Sequence, residues 1–234
     1  MARKKIVFVI VEGPSDSEAL GGILNKLFSD SSVYVHIVHG DITTQDDTTS
    51  GNIIKKITAL VKNYASSRHL TKIHFKKVIH IVDMDGAYVD DSYVRLNKSL
   101  SSVVYSYEGI ETSNVQGIID RNHLKKECLN VISSKESIWK DLPYQAYFMS
   151  CNLDHVLYNK LNLSDDEKEK LSLDFAKKYK DNLDLFRMFI LDSSFSLHQM
   201  SYRDSWSFIK QSNRSLKRYT NFGLCILEAN KSDS

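Results

Sequence analysis

Residues 6–16 read Ile6-Val7-Phe8-Val9-Ile10-Val11-Glu12-Gly13-Pro14-Ser15-Asp16, an apolar run that stops on an acid, a glycine and a proline. Six β-branched or aromatic residues without polar alternation suit a strand covered on both faces, as in a parallel sheet. A helix should follow, because Ala19, Leu20, Ile23, Leu24, Leu27 and Phe28 recur at helical spacing. Ser15 with Glu18 fits a capping box at its start. A second stretch repeats the pattern: Val78-Ile79-His80-Ile81-Val82 runs into Asp83-Met84-Asp85-Gly86. The two runs read as neighbouring buried strands whose ends hold Glu12, Asp83 and Asp85 around a divalent cation.

Working outward, residues 33–38 read as another strand and the polar, Thr/Asp-rich residues 40–51 as a loop. Ile53, Ile54, Ile57, Leu60, Val61 and Tyr64 then mark a second helix. Strand, helix, strand, helix, strand implies crossover units and a parallel sheet. Beyond Gly86, residues 103–107 and 145–149 are strand candidates. Residues 118–133 read as a helix with Leu124, Cys128, Val131 and Ile132 on one face. Helical patterns dominate from Asp154 onward. Ser164 and Glu167 form a capping box before Leu171, Phe175 and Tyr179, and residues 183–191 and 206–209 look buried. The expected fold is α/β: a Rossmann-like parallel-sheet core over residues 1–155, with a mostly helical part over 156–234 packed on it.

At 234 residues the chain can bury a generous core. Its 42% hydrophobic and 26% charged content is ordinary for a soluble globular protein. No stretch approaches the ~18 apolar residues of a membrane span, and the apolar run after the basic N-terminus is too short for a signal peptide. Cys128, Cys151 and Cys225 are odd in number and far apart. That points to free thiols in a reducing, cytoplasmic compartment and away from a zinc cluster. A net charge of +2 neither demands nor excludes a nucleic-acid partner.

Open α/β sheets bind ligands outside the carboxyl ends of their strands, where Glu12, Asp83 and Asp85 fall. Two like charges 4 Å apart repel by roughly 4 kcal/mol at an effective dielectric near 20. Three converging carboxylates therefore need a cation or a proton. Hard oxygen ligands without a Cys/His set favour Mg²⁺ or Mn²⁺ over zinc. Strict strand geometry would send Asp85 to the face opposite Asp83. The chain must therefore already be turning at Met84-Asp85-Gly86.

These two motifs together, Val11-Glu12-Gly13-Pro14-Ser15-Asp16 and Asp83-Met84-Asp85-Gly86, resemble the Toprim domain. That is the metal-binding module of topoisomerases, bacterial primases, ribosomal RNA maturases and overcoming-lysogenisation-defect nucleases. The likeness covers roughly residues 5–150, and the separation between the two motifs is long for the family. It implies that Glu12 acts as general acid/base or metal ligand, that Asp83 and Asp85 hold Mg²⁺, and that Asp16 supports the site. Residues 146–157, Ala146-Tyr147-Phe148-Met149-Ser150-Cys151-Asn152-Leu153-Asp154-His155-Val156-Leu157, are similar to a strand, turn and acid-bearing helix of small RloB-type phage-defence proteins. Asp154 would stand for the acid there, although Cys151 is inserted and Asp replaces Glu. The resemblance implies a Mg²⁺-dependent nuclease acting on DNA or RNA, in the manner of a defence effector with an ATPase partner. Self-association stays open.

Arg121, Lys125 and Lys126 share a predicted helix and could contact backbone phosphates beside Gly13, though a solvated helix face also accounts for them. Arg214, Lys217, Arg218 and Tyr219 form a basic cluster with an aromatic, and a surface role is the simpler account. His36, His39, His74 and His80 read as structural, and Asp46-Asp47 and Asp90-Asp91 as solvated loops. Asp83-Met84-Asp85-Gly86 also matches the nucleophile loop of haloacid-dehalogenase-type phosphatases. That reading leaves Glu12-Gly13 unexplained. A third reading is a non-catalytic regulatory subunit with a degenerate Toprim-like fold.

Overall fold

A computed structural model describes residues 4–29, 31–37 and 41–231. Val38, His39 and Gly40, which the sequence places at a strand end, among the structural histidines and at a loop start, lie outside the described residues. In chain order the elements are β1 (Ile6–Val11), α1 (Pro14–Leu27), β2 (Ser32–Ile37), α2 (Ile53–Ser67) and β3 (Phe75–Asp83). Then come β4 (Val94–Leu96), β5 (Val104–Ser106), β6 (Gly109–Thr112), α3 (Val115–Ser133), β7 (Ser137–Ile138) and β8 (Leu142–Ser150). The chain ends with α4 (Leu153–Tyr158), α5 (Asp165–Tyr179), α6 (Leu183–Leu191), α7 (Tyr202–Ile209), β9 (Tyr219–Thr220) and α8 (Gly223–Lys231).

The main sheet runs β2-β1-β3-β8-β7, with β9 also paired to β8. The four central strands β2, β1, β3 and β8 are parallel, and β7 and β9 lie antiparallel to β8. The alternation of a strand explains the unbroken apolar runs. Val7, Val9, Val11, Ile79 and Ile81 face a core shared with α1, α5, α6 and α8. Phe8, Ile10, Val78 and Val82 face the other core, with α2, α3 and α7. Both faces are covered, so every position on the strand is best apolar.

The helix α1 begins earlier than its sequence cap suggests. Gly13 is the N-cap, Pro14 takes the first helical position and the Asp16 carboxylate accepts the Gly13 N–H at 2.9 Å. Proline suits that first position because its φ is preset and its missing N–H has no helical partner there anyway. The Ser15/Glu18 capping box is therefore not formed, and Glu18 is exposed. The Ser164/Glu167 box of α5 is formed. Residues 156–234 touch both faces of the sheet: α5 packs along α1, α7 joins the opposite core and β9 extends the sheet itself. The position after residue 155 falls inside α4. Between β7 and β9 the edge of β8 is covered by side chains. The Tyr202 hydroxyl donates to the Ala146 carbonyl at 2.8 Å, and the Asn221 side chain accepts the Phe148 N–H at 2.9 Å.

A small sheet ordered β4-β6-β5 is inserted between β3 and α3, with a third apolar cluster of its own. Among the described residues no helix is long and apolar enough to cross a membrane. All three cysteines are buried and unbridged.

Candidate metal centre

From β1 the chain passes through α1 on one face to β2, then through α2 on the other face to β3, which lies on the far side of β1. The carboxyl ends of β1 and β3 thus flank the point where strand order reverses, the usual ligand crevice of an open α/β sheet. Glu12 follows β1 and Asp83 ends β3, and the two meet: the Asp83 N–H donates to Glu12 Oε1 at 3.1 Å. Met84, Asp85 and Gly86 then turn the chain. Asp85 and Gly86 both take left-handed backbone angles (φ 45° and 71°), which redirects the Asp85 side chain. A Cβ on Gly86 would come within 2.8 Å of Leu216 and 2.9 Å of Ile110. The Met84 and Asp85 N–H groups donate to the Cys151 carbonyl, tying this turn to the end of β8.

Glu12 and Asp85 come together with an acid the sequence reading did not single out, Asp41. One carboxylate oxygen from each lies within 4.8 Å of the others. Asp41 occupies the loop after β2, where the Thr43 N–H (2.8 Å) and hydroxyl (2.6 Å) fix one of its oxygens. The signal was its position, just past a strand end as Glu12 is. It was hidden in a stretch whose polar composition fits an ordinary loop.

At the centre stands Lys125. It was expected on a solvated face or free for phosphate, yet its side chain is fully buried. Its ammonium lies 2.5 Å from Asp85, 2.8 Å from Asp41 and 3.9 Å from Glu12. Ile118, Asn122, Lys125, Leu129 and Ile132 form one buried stripe of α3 at spacings of three and four. A lysine inside such a stripe must meet acids, and that spacing was the missed cue. Arg121, one turn earlier, donates to the Tyr105 hydroxyl, to Asn122 and to the Asp85 carbonyl, so its guanidinium braces the turn. Lys126 is exposed. Gly13 spends its N–H on Asp16.

The Asp83 carboxylate points elsewhere, accepting the Leu153 N–H at the start of α4 at 2.9 Å. Asp154, in the first turn of α4, is buried and lies 3.6 Å from Lys168. Asp16 senses Asp154 and Lys168 electrostatically. The expected ligand set thus divides, with Glu12 and Asp85 around Lys125, Asp16 and Asp154 near Lys168, and Asp83 beside Glu12.

Burial dominates the electrostatics. It raises Glu12 well above the usual carboxylate range, with Asp41 and Asp85 adding and Lys125 opposing. Asp83 is raised for the same reason, with Glu12 and Asp85 adding. Asp16 is pushed to about 6, by burial above all. Burial would raise Asp41 too, but the Lys125 ammonium overrides it and holds that carboxyl below its ordinary value. Lys125 in turn is kept charged: burial disfavours the ammonium, yet Asp41, Asp85 and Glu12 outweigh it.

The remaining sequence candidates have structural roles. His80 is buried against the Tyr144 hydroxyl at 2.8 Å, and burial lowers its pKa to about 4. His36 stacks on Phe8, and His74 accepts the Thr71 N–H. Asp47 pairs with Lys56, Asp90 caps Ser92 and Asp91 meets His123. Arg214 lies over Phe208, Arg218 over Phe195, and Tyr219 packs edge-on to Phe208.

Glu12, Asp41 and Asp85 suit a hard divalent ion. All three offer oxygen, and their 4.8 Å spread is close to the roughly 4.2 Å that separates opposite ligands of Mg²⁺. The Lys125 ammonium would have to withdraw. No family model, curated protein or solved structure matches this chain.

Proposed function

We propose that the chain is a metal-dependent enzyme that cleaves phosphodiester bonds in nucleic acid, a nuclease with a Toprim-like core. The carrying observation is the convergence of Glu12, Asp41 and Asp85, from three separate strand ends, at the reversal point of the sheet. Mg²⁺ or Mn²⁺ held by those three carboxylates would supply charge neutralisation at the scissile phosphate and acidify a bound water. Glu12, whose carboxyl burial raises in the ion-free protein, would give up its proton to hold the ion as carboxylate and help orient the attacking water. Asp83 fixes the start of α4 and, through its N–H, the orientation of Glu12. Lys125, displaced from the acids by the ion, would offer its charge to the phosphate. Arg121 holds the Asp85 turn.

The test is cleavage of labelled single- and double-stranded DNA and RNA with Mg²⁺ or Mn²⁺, compared with chelator. Activity should depend on the ion and fall at least ~100-fold in Asp85→Asn, Asp41→Asn and Glu12→Gln, the usual scale for groups acting on a developing charge. Absence of both ion binding and cleavage with every substrate would end this reading.

One observation favours a second reading, a regulatory Toprim-like subunit without chemistry. Lys125 already neutralises the acids from within, at distances typical of strong charge-assisted hydrogen bonds. Such a protein would bind no divalent ion at millimolar concentration, and Asp85→Asn would leave its biology intact. The phosphatase reading draws less from the geometry, because the Asp83 carboxylate is turned to the Leu153 N–H and Glu12 packs against its backbone.

A further inference from the structure

A cavity of about 950 Å³ opens between the carboxyl end of α3, the first half of β8 and α7. Its lining includes Lys77 and Val78 of β3 and Pro143, Tyr144 and Gln145 of β8. The acids gather at the opposite ends of these strands. Val78 and Asp83 are separated by roughly 16 Å of strand, so the cavity is no part of the acidic centre.

Its charge is unusual. The exposed Lys135 and Arg203 and the half-buried Lys210 border it, while its acids are Glu228, held by Lys77 at 3.1 Å, and the exposed Glu136. The Lys210 ammonium donates to the Ser133 hydroxyl at 3.0 Å and lies over the rings of Trp206 (5.5 Å) and Tyr88 (5.7 Å). Among the described residues no carboxylate pairs with it, and burial alone lowers its pKa. Trp206 adds an independent observation. It lines the cavity, is 3% exposed, and its Nε1–H has only the Tyr202 hydroxyl nearby, outside good hydrogen-bonding geometry. Burying such a donor unmet is costly, and a bound acceptor would relieve it. The first turn of α7 adds Ser201, Tyr202 and Arg203 to the wall, its N-terminus being capped by Ser201 with Asp204 in the same turn.

The plain alternative is that Lys210 only compensates the carboxyl end of α3. That leaves the indole N–H and the size of the cavity unaccounted for. Three cations around one opening exceed the needs of a single carboxylate and match a dianion. The volume lies at the upper end of small-molecule sites and would admit a nucleotide-sized body.

We infer that this cavity binds a small organic phosphate, its phosphate group held by Lys210 with Lys135 and Arg203 and its body lying against Tyr202. The chain has two tryptophans, Trp139 and Trp206, so Trp139→Phe leaves Trp206 as the sole emitter. Titration with adenosine 5′-monophosphate and with ribose 5-phosphate, read by Trp206 emission and by calorimetry on the unaltered chain, tests the inference. At least one probe should bind saturably. Lys210→Met should weaken it by about tenfold or more, Arg203→Met severalfold, and Glu12→Gln not at all. Adenosine, lacking the phosphate, should bind at least about tenfold more weakly than its phosphate. The inference is overturned if neither organic phosphate binds at about 10 mM or if inorganic phosphate alone does. Adenosine matching its phosphate, or unchanged affinity in both Lys210→Met and Arg203→Met, would overturn it equally.

Discussion

Around Lys125 stand Glu12, Asp41 and Asp85; along the same edge of the sheet, Asp16 and Asp154 share Lys168. The first lysine is wholly buried and touches two carboxylates at 2.5 and 2.8 Å. The second keeps 36% of its side chain in solvent and stays 3.6 Å from Asp154. The acids respond accordingly. Asp41 is held below its ordinary pKa, whereas burial leaves Asp16 and Asp154 raised, with Lys168 pulling them down only in part. A cation without solvent overturns the effect of burial on the carboxylate it touches, as on Asp41 at 2.8 Å but not on Glu12 at 3.9 Å, while a solvated one only trims it.

The sharpest way to break this contrast is Lys125→Met. Removing one partner of a buried ion pair leaves uncompensated charge and costs roughly 3–5 kcal/mol. Three neighbouring carboxylates would then share no internal cation. The variant should unfold at much lower urea concentration than the parent, and Mn²⁺ should restore most of the loss by taking the ammonium's place. A Lys125→Met protein as stable as the parent without metal would show that the acids do not depend on this lysine.

Ion affinity should follow pH next. Burial raises the folded-state pKa of Glu12 and Asp83 above their ordinary range, so below those values an ion has protons to displace. Affinity for Mn²⁺ should rise with pH by up to about tenfold per unit for each proton released, and level off once both acids are ionised. Calorimetry in buffers of different ionisation enthalpy would count those protons. A flat profile between pH 5 and 8 would mean that neither acid is protonated in the free protein.

A smaller effect separates site acids from structural ones. A carboxyl whose folded pKa is raised contributes stability below its unfolded pKa, and that contribution is lost as pH rises through the folded value. Asp83 is such a group, and asparagine can still accept the Leu153 N–H. Asp83→Asn should therefore be more stable than the parent at pH 8, by about 1 kcal/mol on the scale of ordinary stabilising changes. The gain should shrink toward pH 4. His80 has the opposite sign: its pKa is lowered to about 4, so it favours folding above pH 6.5 and loses that contribution as pH falls between the two values. Thermal melts across this range resolve both.

Much of this architecture was legible in the chain. The runs at residues 6–11 and 78–82 have no polar alternation because both sheet faces are covered, and their acidic ends mark the strand ends that converge. Two things escaped. Asp41 sits among threonines that satisfy its oxygens locally, so its neighbourhood reads like any polar turn. Lys125 lies in a helix whose charged residues look solvated until the register of Ile118, Leu129 and Ile132 is drawn. Both depend on contacts between residues far apart in sequence, which periodicity does not carry.

The weakest test is the control on which the comparison rests. Lys168→Met removes a partly exposed cation 3.6 Å from Asp154, and such pairs are worth about 0–1 kcal/mol. Its loss should barely move the urea midpoint. Its effect should appear in titration instead: Asp16, whose pKa lies at about 6, would move higher because Lys168 no longer opposes Asp154 and burial. Carboxyl NMR shifts of Asp16 against pH would report that rise. Were Lys168→Met to cost as much stability as Lys125→Met, burial would not be what distinguishes the two cations, and the central placement of Lys125 would lose its special weight.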